Sequence, residues 1–340
     1  MNITNNTPFS HTLFTFTNKK RQYHRVCVVK AAFRWSEDGR TVTSIPEDAD
    51  GQWGRILDTD SFYGDGPLAS TRDEADLAPF KPRTDVYLVD PIAHAPGGVA
   101  RAAWECSVTV GEIKHALRVT GPRQWREGIL GASLTSPEPA LQVPIRYELA
   151  FGGVARSGTT TEVLESNPVG TGFCGSRGLP GGWGGINAPQ VEAIGDPINR
   201  LGKVYKSAGF TPIGRAWEAR RLLGGTYDDK WLKEQWPFHA LDYEPEAEQS
   251  GPPELRLPTY AKGGELVVLE NLTPDGTTRF QIPELGTMLG VMDGSKTKIP
   301  VCIFNLDTIR IIPHHSIFSL VFRASFFQPP TANGMCIDLF

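Results

Sequence analysis

Residues 103–120 read AWECSVTVGEIKHALRVT, and their alternation decides the fold class. Trp104, Cys106, Val108 and Val110 interleave with Glu105, Ser107 and Thr109. Ile113, His115, Leu117 and Val119 interleave with Lys114, Ala116 and Arg118. A period of two marks a half-buried strand. Gly111-Glu112 separates the two runs, and glycine in the first loop position suits a type II′ turn. That register pairs Val110 with Ile113, Val108 with His115, Cys106 with Leu117 and Trp104 with Val119 on one face. It sets Glu105 opposite Arg118 on the other. A slip of one residue would turn the whole apolar set to solvent, so the register is strongly specified.

Working outward, more strands follow. Residues 26–35 are almost continuously apolar, as in a strand buried on both faces. Residues 9–16 and 143–151 read as further strands. Residues 265–272 and 277–282 flank Thr273-Pro274-Asp275-Gly276 as a hairpin with a bulged turn. Residues 299–304, 308–312 and 317–326 complete a β-rich C-terminal part. Helical spacing is confined to residues 213–236. There Ala216, Ala219, Leu222 and Leu223 share a face, Gly224-Gly225 interrupts, and Thr226 or Asp228 can cap a second short helix stopped by Pro237. The expected fold is mainly β (α+β), with antiparallel sheets in a sandwich-like arrangement and a small helical insertion. The chain divides into a β-rich part (1–150), a glycine-rich and short-helix part (151–241) and a β-rich part (242–340), or forms one integrated fold. Residues 44–80, acidic and irregular, read as a long surface loop. Residues 242–259 read as a Pro/Glu-rich linker, and the tail after Gln328 as loose.

Composition narrows the function classes. A chain of 340 residues buries about three quarters of its unfolded surface and needs no staples. Its formal net charge is −4, from 34 basic and 38 acidic residues, without the basic face of a nucleic-acid binder. The five cysteines are widely spaced with no C-x-x-C pair, which fits buried thiols in a reducing compartment. The first twenty residues lack the basic start of a secretory signal, and no apolar run reaches the ~20 residues of a membrane helix. The expectation is a cytoplasmic protein without membrane insertion.

The motifs that would carry chemistry fall short. Gly170, Gly172 and Gly175 spell G-x-G-x-x-G, but Asn167-Pro168 precedes them and more glycine follows, where a dinucleotide site needs a strand and a helix. Gly195 and Gly202-Lys203 are too far apart for a phosphate loop. Asp58, Asp60 and Asp65 lack the oxygen ligand and glycine that an EF-hand loop needs at its fifth and sixth positions, since Phe62 and Tyr63 stand there. His314-His315 follow Pro313 as turn residues, and His115 near Cys106 gives two ligands of the four a structural zinc needs. No G-x-S-x-G elbow occurs. The sequence therefore points to no catalytic residue, metal or cofactor.

Two stretches suit partner binding better. DLAPFKPRTDVYLVDPIAHAPGG, residues 76–98, holds a short strand, Asp85 to Asp90, between proline-bounded approaches. Lys81, Arg83 and Asp85 alternate in charge beside it, as at an edge or docking rim. Trp217, Tyr227, Trp231, Trp236 and Phe238 surround the short helices with Arg215, Arg220 and Arg221. Such a set reads either as helices packed on a sheet with their arginines solvated, or as an interface, where Trp, Tyr and Arg are over-represented. The candidate partner-binding residues are Lys81, Arg83, Asp85, Trp217, Arg220, Tyr227, Asp228 and Trp231.

The order of these blocks resembles the DUF2169 family of bacterial proteins, which is associated with type VI secretion. The resemblance runs from about Phe9 to Ala324. It rests on Lys81-Pro82-Arg83-Thr84-Asp85-Val86, on Ala93-His94-Ala95-Pro96-Gly97-Gly98, and on Val119-Thr120-Gly121-Pro122-Arg123-Gln124-Trp125, where Pro122 replaces an acid. It continues through Tyr147 to Gly153, Asn167 to Phe173, and Gly209 to Ile213 into Trp217, Arg220, Tyr227, Asp228 and Trp231. At residues 243–252 the chain departs from the family pattern and keeps only Gln249. The resemblance implies a cytoplasmic adaptor or chaperone, with no catalysis of its own. It would bind a toxic effector, often one with a PAAR-like domain, and help mount it on the spike protein. The alternatives are an envelope-acting hydrolase and a structural component of the secretion apparatus.

Overall fold

The computed structural model describes residues 2–47, 53–66, 68–128, 131–175, 185–293, 298–327 and 334–340. The hairpin strands Ala103–Val110 and Ile113–Thr120 pair in the register read from the sequence, from Val110 opposite Ile113 to Trp104 opposite Val119. Gly111 takes φ +56° while Glu112 does not enter that region, as a type II′ turn requires. The hairpin forms the middle of a five-stranded sheet, with Val191–Ala193 on one side and Leu266–Glu270, then Thr277–Gln281, on the other.

A larger sheet faces it. Its order is Ser10–Thr17, Tyr23–Trp35, Ile317–Phe326, Asn305–Ile312 and Asp85–Leu88, with Val42–Ile45 also paired to the second strand. Odd-numbered residues of Tyr23–Trp35, from Cys27 to Trp35, enter the core between the two sheets, where Trp35 stacks on Phe280 at 4.3 Å. On the opposite face, Ala32 packs with Tyr87, Val89 and Ile312. Burial on both faces is what the unbroken apolar run demanded. Sequence-distant segments thus share one sheet: residues 10–35 lie beside residues 305–326. A third sheet joins Asn2–Asn5, Gly334–Leu339, Met288–Asp293 and Lys298–Ile303.

Four expectations change. Residues 143–151 do not form one strand, because Pro144 ends the ladder after Gln142–Pro144 and Tyr147–Leu149 coils into a 3-10 turn. The tail is not loose over Gly334–Leu339, which pairs with strands on both sides; residues 328–333 lie outside the described residues. The supposed linker is packed: Tyr243, Ala247, Gln249, Ser250 and Leu255 are buried. Gly251 there lies so close to the strand edge that a Cβ would stand 2.8 Å from the Val86 carbonyl oxygen. The acidic surface loop turns inward at its end, where Asp73, Glu74 and Asp76 are buried. Of the glycine-rich run, residues 176–184 lie outside the described residues, and Thr171–Gly172 forms a short strand parallel to Phe151–Gly152.

Candidate protein-docking surface

The residues singled out from sequence separate into an interior group and a surface group. Lys81, Asp85, Trp217 and Arg220 are buried, which corrects their expected place on a contact surface. Trp217 donates from Nε1 to the Leu68 carbonyl at 3.1 Å and meets Tyr147 edge-on. Arg220, at the end of the four-residue helix α1 (Glu218–Arg221), pairs with Glu74 at 2.7 Å and donates to the Ala247 and Ile213 carbonyls. Lys81 bridges Asp85 at 3.0 Å and Glu74 at 3.5 Å. Asp85 also accepts from the Ser250 N–H at 2.8 Å and from Gln249 Nε2 at 3.3 Å. The strand Asp85–Leu88 is at the sheet's end, as its prolines suggest, but residues 249–257 cover it. Arg83 is half-buried, and its carbonyl accepts from Gln249 Nε2.

These side chains belong to a seam of buried charge. Arg310 reaches Asp73 at 2.7 Å and Asp76 at 3.0 Å, Lys30 reaches Asp76 at 3.0 Å, and Arg323 reaches Asp307 at 2.6 Å. Arg215, half-exposed, adds contacts to Glu74, Asp60 and Glu248. Burial alone would raise the Glu74 carboxyl, but Arg220, Lys81 and Arg215 outweigh it and hold it well below the usual range. Asp76 behaves alike: Lys30, Arg310 and the Leu57 N–H overcome its burial. Opposite charges pair throughout the seam, although the Glu74 carboxylate oxygens and Arg220 Nη2 are buried without a hydrogen bond, so its cohesion there is ionic.

Tyr227, Asp228 and Trp231 form the surface group with helix α2 (Asp229–Glu234). Asp228 caps the helix, its Oδ1 accepting from the Trp231 N–H at 2.8 Å. Trp231 packs edge-on against Tyr227 at 4.8 Å and donates from Nε1 to the Phe238 carbonyl at 2.8 Å. Tyr227 OH and His239 Nδ1 share a hydrogen bond of 2.8 Å. From there the cluster crosses to the edge of the large sheet. His239 packs on Phe16 at 4.7 Å, Phe238 on Tyr23 at 5.4 Å, and His24 on Phe327 at 4.1 Å. Around this framework Trp236 is 63% exposed, Tyr23 57%, Leu232 57% and Leu241 71%. Burial lowers His24 and His239 from the ordinary histidine value, so both are neutral at pH 7. Tyr23, Phe16, His24 and Phe327 were not singled out from sequence; Phe16 and Tyr23 meet residues 238–239 across more than two hundred positions, and His24 links Phe327 to Phe16.

A second concavity, a cleft of about 810 Å³, lies between the hairpin sheet and residues 205–219. His115 lines it beside Tyr147, Lys206 and Glu254. Lys206 pairs with Glu254, and Ser207 spends its hydroxyl on the Phe151 carbonyl at 2.5 Å. Among the described residues no group of three or more His, Cys, Asp or Glu side chains is placed to hold a metal ion. All five cysteines are free, and no described helix is long and apolar enough to cross a membrane.

Comparison with protein families matches residues 20–323 to the family described as "Uncharacterized protein conserved in bacteria (DUF2169)". The chain belongs to the DUF2169 family. The matched span takes in the hairpin sheet, the buried seam, the large sheet apart from its edge strand Ser10–Thr17 and residues 324–326, and the aromatic cluster of this DUF2169 protein apart from Phe16 and Phe327. No curated protein and no solved structure matches it.

Proposed function

We propose that this DUF2169 protein is a cytoplasmic adaptor or chaperone of type VI secretion. In this reading it holds a toxic effector, often one with a PAAR-like domain, for mounting on the spike protein, and it makes or breaks no bond. The observation that carries the reading is the aromatic and aliphatic surface around α2. Trp236, Tyr23, Leu232 and Leu241 stand in solvent on a rigid framework of rings. An exposed apolar patch with Trp and Tyr at its centre favours association with another polypeptide. The family resemblance supplies the identity of that polypeptide.

The test is immunoprecipitation from the native cell followed by mass spectrometry, repeated with Tyr227→Ala and Trp236→Ala. Recovery of a toxin with a PAAR-like domain is expected, with each substitution weakening the purified complex by more than about 1 kcal/mol. Turnover of a small molecule by the purified chain, with no toxin recovered, would replace this reading with an enzymatic one.

A further inference from the structure

The large sheet ends in an eight-residue strand, Ser10–Thr17, that among the described residues pairs on one side alone, with Tyr23–Trp35. Antiparallel ladders alternate the direction of their main-chain groups. Just past the strand the Asn18 N–H donates to the Gln22 carbonyl at 3.0 Å, which assigns the even-numbered residues to that ladder. The neighbouring ladder agrees: the Trp35 N–H donates to the Ser316 carbonyl, so odd-numbered residues of the second strand turn the other way. His11, Leu13 and Thr15 therefore direct their N–H and C=O groups out of the sheet, and no described residue bonds them.

A long edge of this kind is a template for another strand unless lysine, proline or a bulge protects it. HTLFTFT, residues 11–17, has none of these. One side of the strand carries Phe14 and Phe16, half-buried against Val26, Val28 and Val321, so an added strand would extend an existing apolar layer. At the closed end of the hairpin the charged residues of 19–25 are all basic, Lys19, Lys20, Arg21 and Arg25, although Lys19 already pairs with Glu244 at 3.3 Å and Arg21 donates to the Glu234 carbonyl at 2.7 Å. The same end meets the aromatic surface, where the Thr17 hydroxyl donates to the Pro237 carbonyl at 3.2 Å.

We propose that Ser10–Thr17 is a strand-addition site. It takes an extended segment of a partner polypeptide, apolar at alternate residues and acidic at the end lying beside Lys19 to Arg25. On the adaptor reading above, on which this rests for the partner's identity, that segment belongs to the effector.

The test uses the full chain and a random phage-displayed library of peptides of about twelve residues, longer than a typical strand. Expected winners alternate apolar and polar residues with an acidic flank. They lose at least about tenfold in affinity for Leu13→Pro, a change that removes an outward N–H and trims a side chain packed on the core, while it leaves the hydrogen bonds of the internal ladder in place. Hydrogen exchange on the unmodified chain guards against misfolding of that variant. Bound peptide should protect the amides of His11, Leu13 and Thr15 while those of Thr12, Phe14 and Phe16 change little. Failure to enrich such peptides, or equal protection at odd and even positions, would overturn the proposal. So would a dimer of the unmodified chain that Leu13→Pro converts to monomer, because a second copy would then fill the edge. If the edge takes such peptides but no toxin is recovered from cells, the strand-addition site stands and the adaptor reading falls.

Discussion

The buried seam and the aromatic surface both hold residues that the sequence marked as interface candidates, and they serve opposite ends. In the seam, Arg220, Arg310 and Lys81 meet Asp73, Glu74, Asp76 and Asp85 with almost no exposure. Around α2, Tyr227, Trp231 and Trp236 stand among charges at the surface. Both look like interfaces in composition, and only one faces water. An enrichment of Trp, Tyr and Arg marks places where polar and apolar groups are packed together, whether against the protein's own chain or another. What separates the two is where the backbone runs. Residues 71–85 and 213–220 pass beneath the covered end of the large sheet, whereas residues 227–241 project beside its open end.

The largest effects should fall in the seam region. Trp217→Ala is expected to lower the unfolding free energy by about 3–5 kcal/mol, the range for a buried Trp. Asp76→Ala should cost a similar amount, because it takes the ion-pair partner from buried Lys30 and leaves Arg310 to Asp73 alone. Trp236→Ala, at the surface, should stay within about 0.5 kcal/mol. Urea denaturation reads all three. Equal losses at Trp217 and Trp236 would erase the distinction between the regions.

Acid should act on the seam next. Glu74 and Asp76 hold their carboxyls below the values of the unfolded chain, so the unfolded state binds more protons as pH falls. Their contribution is complete above about pH 5 and declines as pH drops through about 4 toward the folded values. Asp73 offsets part of this: burial raises its carboxyl against the pull of Arg310 and Lys30. Urea midpoints measured across that range should fall less steeply for Glu74→Gln than for the unmodified chain. Parallel profiles would show that Glu74 takes no part in acid sensitivity.

The contrast also explains what could be read in advance. Local alternation specified the 103–120 hairpin to the residue, since each neighbour pair was fixed by a two-residue turn. The two-sided burial of residues 26–35 and the Asp228 cap were equally local. The seam was not, because whether Asp73 lies in a solvated loop or opposite Arg310 depends on a partner more than two hundred residues away. For the same reason Lys81 and Asp85 read as a charged rim, when residues 249–257 in fact close over them. The aromatic surface was half visible: Tyr227, Trp231 and Trp236 cluster in sequence, but Tyr23 and Phe16 reach them only once the first hairpin packs beside them. The open edge of Ser10–Thr17 is a property of sheet order, which no periodicity carries.

The smallest stability effect tests whether the surface needs its framework. Asp228→Ala removes the only side-chain cap of a six-residue helix and should cost about 1 kcal/mol, with Asp228→Asn largely restoring it. The loss should be local, because α2 contributes no buried residue to the core. Its consequence for recognition follows from Trp231, whose N–H the cap holds and whose indole ties the helix to the Phe238 carbonyl. If the exposed ring of side chains binds as a preorganised unit, fraying the first turn loosens Tyr227 and Trp231 together. Partner affinity then drops for the alanine variant and returns for asparagine. Affinity that ignores the cap would place recognition on the sheet edge alone, with the rings around α2 serving only to cover the strand beneath them.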